Sequence, residues 1–165
     1  INKYKKKIKF RWYYEQVDIG LNFRLNDICA ILGASQIKKI KNFIKKRNQI
    51  ASYYNKTLSN FPIELPNIPK KFRSSFHLYV IKVDKKIRNK LFNELIKSKI
   101  FVNMHYLPVH LHPIYKKKGF KRGQFPVSEL HSERSISLPI YPELSIKKQN
   151  KVIKKLKSFF KNTKL

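Results

Sequence analysis

The sequence predicts an α+β fold in which a small, mostly antiparallel sheet is backed by helices and preceded by a long connecting helix. Two observations predict it. Apolar residues recur at a spacing of three and four between Ile37 and Leu58, which is the period of a helix with one buried face. Beyond that stretch, the patterns run strand, helix, strand, strand, helix, an order that suits helices layered against a small sheet.

The first helix is short and begins after Asn26, a residue type that favours the N-cap position. Asp27 then places a negative charge at the positive end of the helix dipole. The helix carries a short apolar face, and we interpret Cys29 within it as a small buried hydrophobic residue. The other apolar positions of this face are Ile28, Ile31 and Leu32.

A longer helix is predicted from about residue 36 to residue 59, with the apolar stripe on one face and lysine and asparagine on the other. Three prolines between residues 62 and 69 then indicate an extended connector. The elements that follow are a strand over 74–83, a helix over 87–99, a strand over 100–107 and a loop over 108–126. Residues 132–142 give a short helix and a strand end, and Ser145 caps a terminal amphipathic helix.

The formal net charge of +29 raises the question of a nucleic-acid or anionic-surface partner. Of the 38 basic residues, however, 7 are arginine and 31 lysine, whereas arginine is the residue that phosphate recognition prefers. The lysines are also spread along the whole chain. We therefore attribute the charge to composition and do not expect a nucleic-acid partner. A basic module that binds nucleic acid or an anionic surface stays the alternative function.

The chain offers no apolar run long enough to span a bilayer, and its basic N-terminus lacks the apolar core of a secretory signal. We therefore expect no membrane partner and a cytoplasmic location. Met104 is the only methionine, and the sequence begins at Ile1, so we expect it to be part of a longer polypeptide.

Three histidines lie close together in a proline-rich stretch: His105, His110 and His112. A metal site would need further ligands, and neither cysteine nor an acidic residue lies nearby, so we expect no metal. Two interpretations stay open. The stretch either forms the rim of a pocket, where histidine and tyrosine hydrogen-bond a ligand, or it is a surface loop stiffened by proline.

Asn22 and Arg24 are two residues apart, so in an extended segment their side chains point to the same face. The segment leads directly into a helix start, and an amide, a guanidinium and a helix N-terminus together suit an anion such as phosphate. The alternative is that Asn22 caps a turn and Arg24 pairs with a carboxylate such as Asp27.

Residues 14–55 resemble the DegT/StrS family of nucleotide-sugar aminotransferases, whose motif continues through Asn-x-Arg to Ala-x-x-Gly-x-x-Gln. The matching residues are Gly20, Asn22, Arg24, Leu25, Asn26, Asp27, Ala30, Gly33, Gln36 and Ile37. Leu21 stands where the family usually has an aromatic residue. Downstream, VNMHYLPVHLHPIYKKKGF and FPVSELHSERSISLPIYPELS recur in order, and they are most similar to transaminases that make UDP-4-amino-4,6-dideoxy-N-acetyl-altrosamine for pseudaminic acid.

The resemblance implies the aspartate-aminotransferase (fold type I) architecture, with pyridoxal 5'-phosphate (PLP) as cofactor and a homodimer with shared active sites. The reaction would move an amino group from glutamate to a 4-keto-6-deoxy UDP-sugar, for surface glycan or nonulosonic acid biosynthesis. Residues 1–35 would end the cofactor-domain region with a loop that crosses the dimer, and residues 36–165 would form the connecting helix and the C-terminal small domain.

The family's Schiff-base lysine lies upstream of the region matched here, so the resemblance implies no catalytic residue in this chain and no activity of the chain alone. An inactive truncated remnant is therefore a further alternative. Asn22 would reach the PLP phosphate of the other subunit, and Arg24 would brace that loop or meet substrate phosphates. His105, Tyr106 and His110 would line the sugar pocket, and His77 would be structural.

Overall fold

The computed structural model describes residues 12–21 and 24–163, and within them helices pack around a two-stranded sheet. The helices are α1 (Asp27–Ile37), α2 (Ile40–Leu58), α3 (Lys85–Lys97), α4 (Pro113–Lys117), α5 (Pro126–Arg134) and α6 (Ile146–Lys161). The strands are β1 (Tyr79–Lys82) and β2 (Ser135–Leu138), and a single 3-10 turn covers Val109–Leu111. The predicted α+β class is confirmed. None of the helices described is long and apolar enough to cross a membrane.

β1 and β2 pair antiparallel, with Val80 opposite Ser137 and Ile81 opposite Ile136. Single bridges add to each edge of this ribbon: Glu64 pairs with Lys82, and Asn103 pairs with Ser137. Other segments of the same chain therefore supply partners for backbone groups that would be left open at the edges of two short strands.

The strand predicted over residues 100–107 is wrong, because that segment joins the sheet only through the bridge at Asn103. The physical reason lies in the side chain of Asn103, whose Oδ1 accepts the backbone N–H of Met104 at 2.8 Å. Asparagine competes in this way with ladder hydrogen bonds, and the pairing ends there.

The core lies where α2, α3 and α6 cover the sheet. The rings of Tyr54 on α2 and Tyr79 on β1 lie 4.9 Å apart, centroid to centroid, at the centre of this packing. The apolar side chains with 0% exposure are Tyr54, Leu58, Tyr79, Ile81, Leu91, Leu95, Met104, Ile136 and Leu156. Since a two-stranded ribbon is marginal in water by itself, this helix packing is what stabilises it.

The long helix predicted over residues 36–59 is instead two helices, because α1 ends at Ile37 and α2 begins at Ile40. The apolar stripe therefore divides. Its C-terminal part, including Ala51 and Leu58, is buried as predicted, whereas Ile37 and Ile40 are exposed. The period of the apolar residues does not reveal the break, because two helices in sequence can carry one stripe.

α1 begins as predicted, since the Asn26 side chain accepts the backbone N–H of Cys29 at 2.8 Å. The expected burial of Cys29 is wrong, because Cys29 is exposed and no α1 residue is buried by the described part of the chain. Ile28 is 74% exposed and Ile31 70%. The described residues therefore leave the apolar face of α1 open.

Polar side chains fix the helices to the ends of the strands. Arg47 Nη1 on α2 donates to the backbone carbonyls of Phe76, His77 and Ile140, at 3.1, 3.0 and 3.0 Å. Phe76 and His77 precede β1, and Ile140 follows β2, so one guanidinium holds both strands at the same end of the sheet. The predicted cap of α6 is also confirmed, because Ser145 Oγ accepts the N–H of Lys148.

We predict that Leu95→Ala destabilises the chain by about 2–5 kcal/mol, because it removes buried methyl groups and leaves a cavity in close packing. The free energy of unfolding in urea, followed by circular dichroism, is the measurement.

The matched control is Val127→Ala, which also removes methyl groups but from a side chain that is 83% exposed. It should change the free energy of unfolding by no more than about 0.5 kcal/mol. Equal losses in the two variants would contradict the assigned core.

Candidate functional site

The predicted phosphate-binding pair is only partly described. Asn22 lies outside the described residues, so its predicted contact with a cofactor phosphate stays a prediction. Arg24 is exposed in the segment that leads into α1. Within residues 12–21 and 24–163, no salt bridge joins Arg24 to Asp27, so the alternative ion pair is not formed. A guanidinium exposed just before a helix start has the position and charge to meet an anionic group.

His105 and Tyr106 lie beside β2, at the edge that the Asn103 bridge extends. His105 Nδ1 is 2.7 Å from the Ser137 hydroxyl, and the Tyr106 ring packs edge-on against His105, with 4.4 Å between centroids. Burial, together with the nearby ring of His77, lowers the pKa of His105. The imidazole is thereby fixed and favoured in its neutral form, whereas Tyr106 is 53% exposed and can reach a ligand.

His77 has a structural contact through its backbone and an exposed side chain. Its carbonyl accepts the hydrogen bond from Arg47, and its ring is close enough to influence His105. The predicted structural role therefore fits the backbone of His77, while its side chain belongs to the rim around His105.

His110 is buried and paired, rather than open to solvent. Its Nε2 lies 2.9 Å from Oε1 of Glu129 on α5, and the same oxygen accepts the N–H of Gly123 at 2.7 Å. Burial of the Glu129 carboxyl favours the neutral form, but the hydrogen bonds from His110, Gly123 and Phe125 outweigh it and hold the pKa of Glu129 below its ordinary value. The pair thus ties the 3-10 turn to α5.

His110 also borders a cavity of about 360 Å³ whose remaining walls are mainly apolar. The lining residues are Val109, His110, Tyr115, Phe120, Phe125 and Ser128. The predicted role of His110 in a sugar pocket stays a prediction. Its Nε2 is engaged by Glu129.

The sequence reasoning missed that the segment before Asn22 docks beside these histidines. His112 Nδ1 accepts the backbone N–H of Gln16 at 2.8 Å, and the ring of Tyr14 lies 5.8 Å from that of His112. Partial burial, with the phenol of Tyr106 nearby, raises the pKa of Tyr14. Tyr14 therefore lies against His112 and near enough to Tyr106 for their phenols to interact electrostatically. Neither the spacing nor the composition of the sequence could have placed residues so distant in the chain together.

The three clustered histidines consequently point to three separate partners: Ser137, Glu129 and the backbone of Gln16. One ring nitrogen of each imidazole thus helps to position a segment of the chain. The half-exposed phenols of Tyr14 and Tyr106 can stack on or hydrogen-bond a polyhydroxylated molecule, but they supply no nucleophile with an adjacent base.

Comparison with known proteins adds a family context. The model of the DegT/DnrJ/EryC1/StrS aminotransferase family matches residues 2–157. An uncharacterized protein of Methanocaldococcus jannaschii, MJ1066, is 41% identical over 140 residues, which is 81% of this chain and 36% of that protein. The UDP-4-amino-4,6-dideoxy-N-acetyl-beta-L-altrosamine transaminase of Campylobacter jejuni is 30% identical over 142 residues, 82% of this chain and 37% of the transaminase.

Among solved structures, Spr1654 from Streptococcus pneumoniae in its PLP-form superposes with a TM-score of 0.77 at 28% identity, covering 84% of this chain and 36% of that one. The chain therefore spans little more than a third of the length of the relatives it matches.

We predict that Glu129→Gln lowers the free energy of unfolding at neutral pH, and that the difference from the unsubstituted chain shrinks as the pH falls below about 4.5. The pKa of Glu129 is lowered on folding from the ordinary 4.5, so its carboxylate stabilises the fold fully above that value and loses this contribution as it becomes protonated. Urea unfolding between pH 7 and pH 3 measures the difference.

Glu143→Gln makes the same chemical change at an exposed position and should leave the stability at neutral pH unchanged. A difference for Glu129→Gln that stays constant from pH 7 to pH 3 would show that the carboxylate charge is not what stabilises the loop.

Proposed function

This chain belongs to the DegT/DnrJ/EryC1/StrS aminotransferase family, and from that membership we propose that it is the C-terminal part of a PLP-dependent sugar aminotransferase. The observation that carries the proposal is the family match over residues 2–157, which includes both the Asn-x-Arg segment and the histidine-rich loop. The whole enzyme would transfer an amino group from glutamate to a nucleotide-linked keto-sugar.

For the sugar, we propose a 4-keto-6-deoxy UDP-sugar, whose product would enter surface glycan or nonulosonic acid biosynthesis. Support comes from the similarity to the Campylobacter jejuni transaminase, whose name specifies an altrosamine linked to UDP. The half-exposed phenols of Tyr14 and Tyr106 suit such a ligand, because aromatic rings stack on sugar faces and their hydroxyls hydrogen-bond sugar oxygens.

The residues of this chain would bind and orient, while the cofactor supplies the electron sink of the amino transfer when it is bound. Arg24, and Asn22 with it, would hold the cofactor phosphate, which fits the exposed guanidinium before α1. His105, fixed by Ser137, would keep Tyr106 directed at the sugar. The lysine that anchors the cofactor would lie in the part of the enzyme outside this chain. This chain alone would therefore not catalyse the amino transfer.

We also propose that the apolar face of α1 packs in a homodimer with shared active sites, in an enzyme of the cytoplasm. The support is the exposure of this face, since Ile28 is 74% exposed, Ile31 70% and Leu32 59%. Leu21 and Leu25, which precede α1, are exposed as well. Monomeric proteins rarely leave a contiguous apolar surface of this kind uncovered.

The test uses the full polypeptide that includes the region N-terminal to Ile1. We expect PLP absorbance in the purified protein and glutamate-dependent amination of the keto-sugar. Asn22→Ala should weaken PLP binding about ten- to hundredfold, because a hydrogen bond to a charged phosphate contributes about 1.5–3 kcal/mol. Titration of the apo-enzyme with PLP, followed by absorbance, measures the affinity.

Asn67→Ala is the matched control, since it removes an exposed amide in the proline-rich connector and should leave PLP affinity unchanged. Equal PLP affinity in the Asn22 variant and the unsubstituted enzyme would contradict the assigned phosphate contact. A full-length protein that binds no PLP, but binds DNA with a steep dependence on salt, would favour the basic binding module instead.

A further inference from the structure

The N-terminal part of the described chain is docked on the histidine-rich loop through both polar groups of one backbone unit. The N–H of Gln16 donates to His112 Nδ1 at 2.8 Å, and the carbonyl of Gln16 accepts the N–H of Ile114 at 3.3 Å. His112 is 6% exposed, so the acceptor side of the first bond is buried, whereas Gln16 itself is exposed. Losing this bond would leave a buried imidazole nitrogen without its partner, which is costly.

This docking determines where Tyr14 lies. Tyr14 precedes Gln16 by two residues, and the centroid of its ring lies 5.8 Å from that of His112, on the loop that also carries Tyr106. Further back, the guanidinium of Arg88 on α3 lies 4.6 Å from the centroid of the Trp12 ring. The segment therefore has contacts with the small domain on both sides of Tyr14.

The docking also limits where the phosphate-binding pair can be. Asn22 lies six positions after Gln16 in the sequence, and an extended chain of that length spans at most about 22 Å. A fixed point at Gln16 thus restricts how far the Asn-x-Arg segment can move from the loop that carries Tyr106.

We propose that His112 is a positioning residue that joins the two parts of the active site. By accepting the Gln16 N–H, it holds Tyr14 against the loop that carries Tyr106, so that both phenols can contribute to the sugar site, and it fixes the base of the segment that leads to Arg24. This inference rests on the proposed aminotransferase function. It requires a lone pair on Nδ1, so the imidazole carries its proton on Nε2.

The experiment compares two variants of His112 in the full-length, PLP-loaded enzyme. His112→Asn keeps an acceptor, because its Oδ1 stands at the branch position that Nδ1 occupies in histidine. His112→Leu has a similar branched shape but no acceptor. We expect the leucine variant to raise the KM for the keto-sugar about tenfold, which corresponds to the net contribution of about one hydrogen bond. The asparagine variant should stay within about twofold of the unsubstituted enzyme.

A second variant removes the same hydrogen bond from the other side. Gln16→Pro deletes the backbone N–H without touching His112, and should raise the KM to a similar extent. Combined with His112→Leu, it should add little, because both changes remove one interaction. This pair keeps the test decisive if either single variant is poorly folded.

The inference is overturned if His112→Leu keeps the KM of the unsubstituted enzyme, or if the asparagine variant is impaired as much as the leucine variant. Either result would show that His112 contributes only packing and does not position Tyr14 through its hydrogen bond. Failure of the proposed function is a separate result, since it would appear as no glutamate-dependent amination in the unsubstituted enzyme itself.

Discussion

The sheet at the centre of this chain is too small to be stable alone, and the surrounding structure compensates for that weakness. Each strand has four residues, and a two-stranded ribbon in water is marginal without further packing. Helices α2, α3 and α6 supply the apolar cover, while Arg47 binds carbonyls beyond the strand ends. The histidine-rich loop is attached to β2 through Asn103 and His105, so the position of the candidate site depends on this two-stranded ribbon.

The parts of the fold that could be predicted are those whose cause is local. The amphipathic pattern and Ser145 predicted α6, and the same kind of pattern predicted α3, because a helix and its cap are decided within a few residues. The break between α1 and α2 and the loss of the strand near Asn103 were not predicted. In both places the apolar period continues past the point where the element ends, and backbone hydrogen bonding decides the outcome.

The candidate site divides in the same way. Arg24 was indicated by one short motif, and His105 and Tyr106 by another. The residues within each motif lie only a few positions apart. The partners of the histidines do not lie so close, because Glu129 is 19 residues from His110 and Gln16 is 96 residues from His112. No spacing rule in one sequence links such positions. Tyr14 was therefore missed, although its ring lies next to residues that the sequence had already indicated.

The exposed side of α1 has a physical consequence when it is considered together with the charge of +29. At low ionic strength, strong mutual repulsion keeps such chains apart, even though each one presents apolar groups to the others. The Debye length falls from about 10 Å at 0.1 M salt to about 3 Å at 1 M, while the attraction between apolar surfaces does not weaken. Added salt therefore weakens the repulsion that keeps these chains apart, and it favours their self-association through the exposed apolar residues of α1.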